Sequence, residues 1–264
     1  MIRLGINGAM GRMGRAVGRL ALEGGGFEIA SAIDAASSKQ DYGVILGRDP
    51  IGVKVTEKLA GRLDVLIDFS VPDASLARLG ECVRNGTPHL VCTTGFDAAA
   101  RKKIRDAGRK IPVLLASNTS IGVAALSECA GELARRLGPE FDIEIVEMHH
   151  RRKKDAPSGT AITLAESIAR VTGRTYPKDF RFGRSGETGE RTEQEIGIHA
   201  LRGGGVVGEH TIVFASEDEV VTVSHRAASR DLFARGALRA ARFLASAKAG
   251  CYSMTDVLAQ PTTA

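Results

Sequence analysis

Short apolar runs alternate with amphipathic stretches along the first part of the chain. The apolar runs are rich in Val, Ile and Leu, and they span Ile2–Ile6, Phe27–Asp34, Val53–Thr56, Asp64–Ser70, His89–Thr94 and Val113–Ser117. Helical patterns separate several of these runs, at Arg15–Glu23, Asp73–Asn85 and Ala98–Arg109. Near-continuous apolar strands separated by helices are typical of a parallel sheet covered on both faces. The pattern predicts a doubly wound α/β domain up to about residue 118.

The pattern changes after residue 118. The segments that follow are a helix at Ile121–Leu137, a strand at Asp142–His150, a helix at Pro157–Val171, and strands at Glu195–Arg202, Gly208–Ser216 and Glu219–Ala227. A glycine- and charge-rich segment, Arg181–Gln194, precedes the last three strands, and we expect it to be a mobile loop. Successive strands with short turns favour antiparallel pairings. We therefore predict a second, smaller α+β domain with a mixed open sheet.

A final amphipathic helix is predicted at Asp231–Ala245. We expect this segment to return to the first domain. The predicted domains are residues 1–118 together with 230–264, and residues 119–229.

Composition narrows the choice of partners. The chain has 264 residues and a formal net charge of +5, which suits an anionic ligand. Aromatic residues make up 5%, Trp is absent, and no basic segment is interleaved with stacking side chains, so we expect no nucleic-acid partner. No apolar run is long enough for a membrane span, and the strand pattern begins at Ile2, so we expect a cytoplasmic protein without a signal peptide. The four cysteines form no C-x-x-C pair, which predicts neither a zinc site nor a disulfide framework.

A glycine-rich turn follows the first strand. The segment GAMGRMG places Gly8, Gly11 and Gly14 where the chain passes from strand to helix. Glycine lets backbone N–H groups approach a pyrophosphate, and the helix N-terminus adds partial positive charge. Asp34 closes the second strand about twenty residues later, where a carboxylate would accept hydrogen bonds from ribose hydroxyls. We predict a Rossmann-like dinucleotide site, and the alternative is a tight turn beside a surface aspartate.

The residues after Asp34 bear on the choice of cofactor. Ala35 and Ala36 follow it, so no arginine is present there to hold a 2′-phosphate, which mildly favours NADH over NADPH. Ser37–Lys39 could still accept the phosphate, so the use of both cofactors stays open.

The segment EMHHRRKKDAPSGT, Glu147–Thr160, concentrates two histidines and four cations before a proline–serine–glycine corner. His149 and His150 are adjacent on a strand and point to opposite faces, and no third ligand lies at a zinc-like spacing, so no metal site is predicted. Ser158 is a suitable N-cap, and the amides that follow it would bind a carboxylate. Histidine titrates near neutrality and is a natural proton donor. The pattern favours a pocket for a small polyanion with acid–base chemistry, and the alternative is a solvated basic loop.

The chain resembles the dihydrodipicolinate reductase family over nearly its whole length, and seven motifs carry the resemblance. They are GAMGRMGR (Gly8–Arg15), DFS (Asp68–Ser70), TTGF (Thr93–Phe96), EMHHRRKKDAPSGTA (Glu147–Ala161), RSGETGER with EIG (Arg184–Gly197), GEHT (Gly208–Thr211) and HRAASR (His225–Arg230). The resemblance implies NAD(P)H-dependent reduction of 4-hydroxy-tetrahydrodipicolinate, a small dicarboxylate, to tetrahydrodipicolinate with loss of water, in lysine and diaminopimelate biosynthesis. It also implies that the first domain binds the dinucleotide, and that the second binds the substrate and forms a homotetramer through its sheet.

The resemblance assigns roles to individual residues. His149 is implied as the acid–base residue, and Lys153 as a second proton donor or charge stabiliser. The positions implied to contact the substrate are His150, Ser158, Gly159 and Thr160, and those implied to contact the cofactor are Gly8, Arg12, Met13, Asp34, Phe69, Thr93, Thr94 and Asn118. The remaining histidines, which are His89, His199, His210 and His225, lie in strand patterns, and we expect them to be structural.

Three positions depart from the family pattern. Cys92 stands where glycine is common and would reshape the cofactor edge, and Thr119 stands where a large residue is frequent and would loosen contact with the nicotinamide. Ala35 replaces an arginine that often follows the acidic ribose ligand. Two other functions stay open from the sequence: a different amino- or oxo-acid dehydrogenase, and a non-catalytic NAD(P)-binding redox sensor.

Overall fold

The computed structural model describes residues 1–260 of the chain and contains two sheets. In chain order the elements are β1 (Ile2–Asn7), α1 (Arg12–Gly24), β2 (Phe27–Ile33), β3 (Ser38–Asp41), α2 (Tyr42–Ile45), β4 (Lys54–Thr56), β5 (Val65–Asp68), α3 (Pro72–Asn85), β6 (His89–Val91), α4 (Ala98–Ala107), β7 (Pro112–Leu115), α5 (Ile121–Leu137), β8 (Asp142–His149), α6 (Gly159–Thr172), β9 (Phe180–Phe182), β10 (Ile196–Arg202), β11 (Glu209–Ala215), β12 (Val220–Arg226), α7 (Asp231–Ser246), β13 (Gly250–Tyr252) and α8 (Met254–Leu258). Unit 1 comprises Met1–Ser120 with the segment from Arg230 onward, and unit 2 comprises Ile121–Ser229. Within residues 1–260, no helix is long and apolar enough to cross a membrane.

Unit 1 is built on an eight-stranded sheet with the order β13-β7-β6-β5-β1-β2-β4-β3. Every pairing is parallel except that of β3 with β4. All of β5 and the last four residues of β1 are buried, as expected of central strands that helices cover on both faces. The strand order changes direction at β1, and ligands of such sheets bind at the carboxyl ends of the strands beside that point.

Helix α7 completes the cover of unit 1. It packs against α1 and against β5, β6 and β7. Its buried face consists mainly of small residues, which are Ala234, Gly236, Ala237, Ala240 and Ala241, together with Leu238 and Leu244. A Cβ atom at Gly236 would lie 1.8 Å from the carbonyl oxygen of Thr119, so the close approach of this helix depends on glycine.

Unit 2 is built on a five-stranded sheet with the order β12-β11-β8-β10-β9. Helices α5 and α6 pack against each other, and their apolar residues form one core with Ile143 and Ile145 of β8. Buried and half-buried residues alternate along β8, so Glu147 shares the face of these isoleucines while Glu144 lies on the opposite face.

The sheet of unit 2 is mixed, as predicted, but the structure differs from the sequence predictions in the order of its strands and in five short elements. β11 is antiparallel to β8 and β12, but β10 is parallel to both β8 and β9. The connection Gly203–Gly208 is longer than a tight hairpin and carries the chain past β8, which therefore lies between β10 and β11. The sequence pattern does not predict β3, α2, β9, β13 and α8, because each has only three to five residues and none is part of a continuous run of Val, Ile and Leu.

The segment Arg181–Gln194, expected to be a mobile loop, makes hydrogen bonds to the sheet of unit 2. Arg184 donates to both carboxylate oxygens of Glu144, at 2.8 and 3.1 Å. Arg191 donates to Glu144 at 3.0 Å and to Asp142 at 2.6 Å. Burial by itself raises the pKa of Glu144, but hydrogen bonds from Arg184, a neighbouring histidine and Arg191 outweigh it and lower the pKa to about 2.

Candidate active site

The corner between β8 and α6 presents backbone amides at a helix N-terminus. Ser158 is the N-cap of α6, and its Oγ accepts a hydrogen bond from the amide of Ala161 at 3.2 Å, as the sequence predicts. A Cβ atom at Gly159 would meet no atom within 4 Å, so the space beside the first turn is open. Because helix amides and the helix dipole stabilise negative charge, this corner suits a carboxylate.

A fully buried carboxylate lies behind this corner. Glu147 of β8 accepts a hydrogen bond from the amide of Ser158 at 3.0 Å, and its other oxygen is 2.6 Å from Nδ1 of His149. Arg202 of β10 donates to both oxygens of the carboxylate at 2.9 Å. Burial by itself raises the pKa of Glu147, but the hydrogen bonds from His149 and Arg202 outweigh it and lower the pKa to about 2. Glu147 is therefore ionised near neutral pH.

His149 ends β8 with its ring between this carboxylate and a second histidine. Its side chain is 12% exposed, and the ring of His210 lies edge-on with its centroid 5.3 Å away. A Cβ atom at Gly208 would lie 3.0 Å from Nε2 of His149, so glycine leaves room for the ring at this point. One ring nitrogen, Nδ1, is therefore hydrogen-bonded to a carboxylate, and the other, Nε2, points away from that carboxylate. This arrangement is suited to proton transfer.

His210, which the sequence analysis treats as structural, lies in this site. Its Nε2 is 3.0 Å from Oγ of Ser158, and it is paired in register with Glu147 across β8 and β11. Burial, followed by the nearby charge of His149, lowers the pKa of His210 to about 4, so the ring is neutral near pH 7. The GEHT motif carries this histidine, but periodicity alone does not show that β11 lies next to β8.

Lys153 is held in the following loop by an acidic neighbour. Its Nζ lies 3.0 and 2.8 Å from the two carboxylate oxygens of Asp155, and the hydrogen bond from Lys153 lowers the pKa of that carboxyl. The carbonyl oxygen of Asp155 accepts a hydrogen bond from Arg202 at 2.6 Å. The guanidinium that holds Glu147 thus also fixes the loop that carries Lys153.

His150 begins the turn that leads to Lys153. Its carbonyl oxygen accepts a hydrogen bond from the amide of Lys153 at 3.0 Å, and its side chain is half-buried. Within residues 1–260, no group of three or more His, Cys, Asp or Glu side chains is arranged to hold a metal ion.

The glycine-rich turn of unit 1 has the close backbone packing that the sequence predicts. Gly8 has a φ of +80°, and its amide donates to the carbonyl oxygen of Ile33 at 2.9 Å. A Cβ atom at Gly14 would lie 2.2 Å from the carbonyl oxygen of Gly8, so this position requires glycine. Helix α1 begins at Arg12 without a hydrogen bond from a capping side chain, which leaves its first turn suited to an external anion. These features fit the pyrophosphate of a dinucleotide.

Asp34 braces this turn from the end of β2. Its two carboxylate oxygens accept hydrogen bonds from the amides of Met10 at 2.9 Å and Ala36 at 3.0 Å. The residue stays half-buried, and an ionised carboxylate has lone pairs for further donors such as ribose hydroxyls. The structure therefore brings Asp34 beside the glycine-rich turn, as the fingerprint predicts.

Both halves of the chain match one known family. Residues 2–119 match the family described as "Dihydrodipicolinate reductase, N-terminus", and residues 122–258 match "Dihydrodipicolinate reductase, C-terminus". The chain belongs to the dihydrodipicolinate reductase family. It is 43% identical over 264 residues to the 4-hydroxy-tetrahydrodipicolinate reductase of Syntrophotalea carbinolica, covering 98% of this chain and 99% of that protein. It is 44% identical over 266 residues to the enzyme of the same name from Myxococcus xanthus, covering 98% of each.

Solved structures agree with this assignment. A dipicolinate-bound dihydrodipicolinate reductase from Paenisporosarcina sp. TG-14 matches with a TM-score of 0.74 at 26% identity, covering 96% of this chain and 97% of that chain. An amine dehydrogenase from Mycobacterium smegmatis matches with a TM-score of 0.62 at 12% identity over 98% of this chain and 96% of that one, a likeness of fold alone. The comparisons confirm the predicted family and fold class, and with them the prediction of an NAD(P)H-dependent oxidoreductase of lysine and diaminopimelate biosynthesis.

In this reductase a second buried carboxylate organises the strand ends of unit 1. One oxygen of Asp68 accepts hydrogen bonds from the amide of Ser70 at 2.9 Å, from its hydroxyl at 2.6 Å, and from the hydroxyl of Thr93 at 3.2 Å. The other oxygen lies 3.4 Å from Nε2 of His89, and both side chains are fully buried. Burial by itself raises the pKa of Asp68, but the interactions with His89 and Ser70 outweigh it and lower the pKa to about 2.

The predicted cofactor contacts lie at the turns that follow the strands of unit 1. Gly8, Arg12 and Met13 belong to the turn after β1 and the start of α1, and the others follow later strands: Asp34 after β2, Phe69 after β5, Thr93 and Thr94 after β6, and Asn118 after β7. The carboxyl ends of parallel strands meet at one edge of a sheet, which is where doubly wound folds bind their ligands.

Two of the three departures from the family pattern, Cys92 and Thr119, have side chains inside unit 1. Cys92 is buried, and burial raises the pKa of its thiol well above the ordinary value. Thr119 is also buried, and its hydroxyl donates to the carbonyl oxygen of Phe233 in α7 at 2.7 Å. Neither side chain is exposed at the ligand edge.

Proposed function

We propose that this chain reduces 4-hydroxy-tetrahydrodipicolinate to tetrahydrodipicolinate with loss of water, and that NADH or NADPH is the hydride donor. The observation that carries the proposal is the hydrogen-bond network of Glu147, which joins a histidine suited to proton transfer to a helix N-terminus suited to a carboxylate. Two further facts support it: the relatives bear the name of this activity, and the related Paenisporosarcina enzyme binds dipicolinate, a cyclic dicarboxylate of the same class. We assign the cofactor to unit 1 and the substrate to unit 2.

The substrate has two carboxylates, and unit 2 offers complementary charge for both. We assign one carboxylate to the first turn of α6, where it would lie against Ser158, Gly159 and Thr160. We assign the other to the side chains of His150 and Lys153. A dicarboxylate therefore accounts for the density of cations between residues 149 and 154.

The net reaction takes up one hydride and one proton and releases water. When bound, the nicotinamide supplies the hydride, and the chain supplies orientation and the proton. His149 is assigned as the proton donor because its ring is already fixed by a carboxylate and is partly open to solvent. Lys153 is assigned as the charge stabiliser and second donor, since substrate binding would offer its ammonium a carboxylate in place of exposed Asp155.

The residues assigned to the cofactor are Gly8, Arg12, Met13, Asp34, Phe69, Thr93, Thr94 and Asn118. We propose that both cofactors are used and that NADH is mildly preferred. The carboxylate of Asp34 would repel a 2′-phosphate, and Ala35 and Ala36 add no compensating cation. Ser37–Lys39 would allow NADPH to bind with lower affinity.

The decisive experiment follows oxidation of NADH and NADPH by absorbance, with the substrate generated in situ by the preceding synthase from pyruvate and aspartate semialdehyde. His149→Gln and Lys153→Ala are expected to lower kcat by about two to four orders of magnitude, the usual contribution of a positioned acid or base. His199→Gln and Lys178→Ala are matched controls of the same residue types, since His199 contacts Glu144 on the opposite face of β8 and Lys178 lies between α6 and β9. Cofactor binding without oxidation in the wild type would reject the reductase and favour the redox sensor. Oxidation that His149→Gln leaves unchanged would reject the assigned roles.

We further propose that the enzyme is a cytoplasmic homotetramer assembled through the sheet of unit 2. Helices α5 and α6 cover one face of that sheet, and large apolar side chains such as Leu201 and Val220 are exposed on its strands. Light scattering coupled to size-exclusion chromatography measures the assembly state, and a monomer would reject this part of the proposal.

A further inference from the structure

Glu147 accepts more hydrogen bonds from charged groups than a residue in an apolar core requires. The residue is fully buried on the face of β8 that also carries Ile143 and Ile145. Both of its oxygens accept two hydrogen bonds each, from His149, Arg202 and the amide of Ser158. A buried ion pair is weak support for stability, and an apolar side chain of similar volume commonly serves a core as well or better. The charge therefore calls for a reason other than packing.

The strand register fixes the three charged groups relative to one another. Glu147 and His149 are two residues apart on one strand, so their side chains share a face. Strands β8 and β10 are parallel, and Arg202 is paired in register with His149. The carboxylate, the imidazole and the guanidinium thus lie on neighbouring strands of a hydrogen-bonded ladder and not on a loop.

The contact with Glu147 also defines which ring nitrogen of His149 carries the proton. An ionised carboxylate only accepts hydrogen bonds, so the nitrogen 2.6 Å from it, Nδ1, must be the donor. In the neutral ring Nε2 is then the acceptor, and it is the nitrogen that gains and loses the second proton. Gly208 leaves the space on the Nε2 side of the ring free of a side chain.

We infer that Glu147 is a positioning residue. It holds the ring of His149 with its proton on Nδ1, and it holds the amide of Ser158 at the start of α6. The proton donor and the carboxylate pocket are thereby kept at a constant distance and orientation. Arg202 holds Glu147 in turn through its two parallel hydrogen bonds. The inference rests on the proposed function, because the group that Glu147 positions is the proposed proton donor. Nothing in it requires Glu147 to touch the substrate.

The inference predicts opposite effects on the pH profile for two substitutions. The charged and titratable groups around His149 come from each element packed against it: Glu147 on β8, Arg202 on β10, His210 on β11, and Lys153 with Asp155 in the following loop. Removing the negative charge at position 147 makes the imidazolium less favourable. Removing the positive charge at position 202 makes the imidazolium more favourable, because the guanidinium then no longer offsets the negative charge of Glu147.

The first test is Glu147→Gln, which keeps the shape of the side chain and removes its charge. We expect kcat to fall about 100-fold, the loss that misplacing a catalytic group produces, with a smaller rise in KM. We also expect the alkaline limb of the kcat profile to move to lower pH by about 1 to 2 units. Glu144→Gln is the matched control, because Glu144 lies on the same strand and also bonds arginine and histidine, but on the opposite face. It should change kcat by less than about twofold.

Arg202→Met is the second variant, and it decides the question if Glu147→Gln does not fold. Its alkaline limb should move to higher pH, opposite to that of Glu147→Gln. A variant that merely loosened the fold would lower activity without moving the limb, so an alkaline limb that stays in place in every variant that folds, or in Arg202→Met alone if only that variant folds, would overturn the inference. Thermal unfolding of each variant separates loss of fold from loss of positioning.

A third measurement does not depend on turnover. The nitrogen chemical shifts of the His149 ring, assigned by their absence from His149→Gln, report the tautomer directly. We expect the proton on Nδ1 in the wild type and a mixture of tautomers in Glu147→Gln. A wild-type ring protonated on Nε2 would overturn the inference even if the enzyme turned over normally. Conversely, the expected tautomer in a chain that fails to oxidise the cofactor would support the geometry while rejecting the proposed function.

Discussion

Replacing Asp68 with asparagine removes a buried charge from unit 1 while the shape of the side chain is kept. The remaining amide oxygen can still accept hydrogen bonds from Ser70. Its NH2 group, however, replaces the oxygen that lies 3.4 Å from Nε2 of His89, and the bonds from Ser70 and Thr93 lose their charge-assisted character. We expect the variant to fold and to be less stable than the wild type.

The magnitude follows from the pKa of Asp68, which falls from an ordinary value of 3.8 to about 2 in the folded protein. At about 1.4 kcal/mol per pKa unit, the ionised carboxylate contributes about 2 kcal/mol to the free energy of unfolding near neutral pH. Because the folded pKa is the lower one, this contribution is complete above about pH 4 and is lost as the pH falls towards 2. The difference in stability between wild type and Asp68→Asn should therefore narrow over that pH range.

Urea unfolding followed by circular dichroism measures both the difference and its pH dependence. Asp106→Asn is the matched control, because the side chain of Asp106 is 42% exposed and its ion pair with Lys102 is a surface pair, so the change in stability should be less than about 0.5 kcal/mol. A cycle that combines Asp68→Asn with His89→Gln should show a coupling of about 1 kcal/mol or more between the two buried groups. A variant as stable as the wild type, or a difference that does not change below pH 4, would refute the reasoning.

Three further substitutions test the backbone features of the two sites. Gly208→Ala should lower kcat about tenfold or more with little change in the free energy of unfolding, because its Cβ would lie 3.0 Å from Nε2 of His149. Steady-state kinetics measures the effect, and a kcat equal to that of the wild type would contradict it. Gly14→Ala should abolish measurable cofactor binding in a fluorescence titration, because its Cβ would lie 2.2 Å from the carbonyl oxygen of Gly8, and an unchanged affinity would show that the turn can relax. Asp34→Ser should raise the ratio of kcat/KM for NADPH over NADH about tenfold, and an unchanged ratio would mean that other residues set the preference.

The framework of both units can be predicted from the sequence because its elements are long or uniformly apolar. Helix α5 has the predicted bounds, Ile121–Leu137, and the apolar runs of β1 and β5 correspond to fully covered central strands. The position of β8 between β10 and β11 could not be predicted, since hydrophobic periodicity gives the face of a strand and not its neighbour.

The candidate site could be predicted only where its residues are close in sequence. One short string contains His149, Lys153 and Ser158, and their chemistry is visible without a structure. Arg202 and His210 join them through strand pairings across the sheet, so no local pattern marks them. Glu147 is visible in the motif, but its complete burial and its hydrogen bonds are properties of the fold.

The placement of α7 has a consequence for how the chain is made. Residues 1–120 emerge from the ribosome long before α7, and unit 2 is synthesised between them. During that interval β5, β6 and β7 lack the helix that packs on them, so apolar strands of unit 1 stand uncovered while unit 2 already has all of its own elements. Unit 2 is therefore free to fold first, and unit 1 becomes complete only when α7 and the elements that follow it, β13 and α8, have been synthesised. A chain cut after residue 120 should expose this sheet face and aggregate, whereas Ile121–Ser229 alone keeps its core intact.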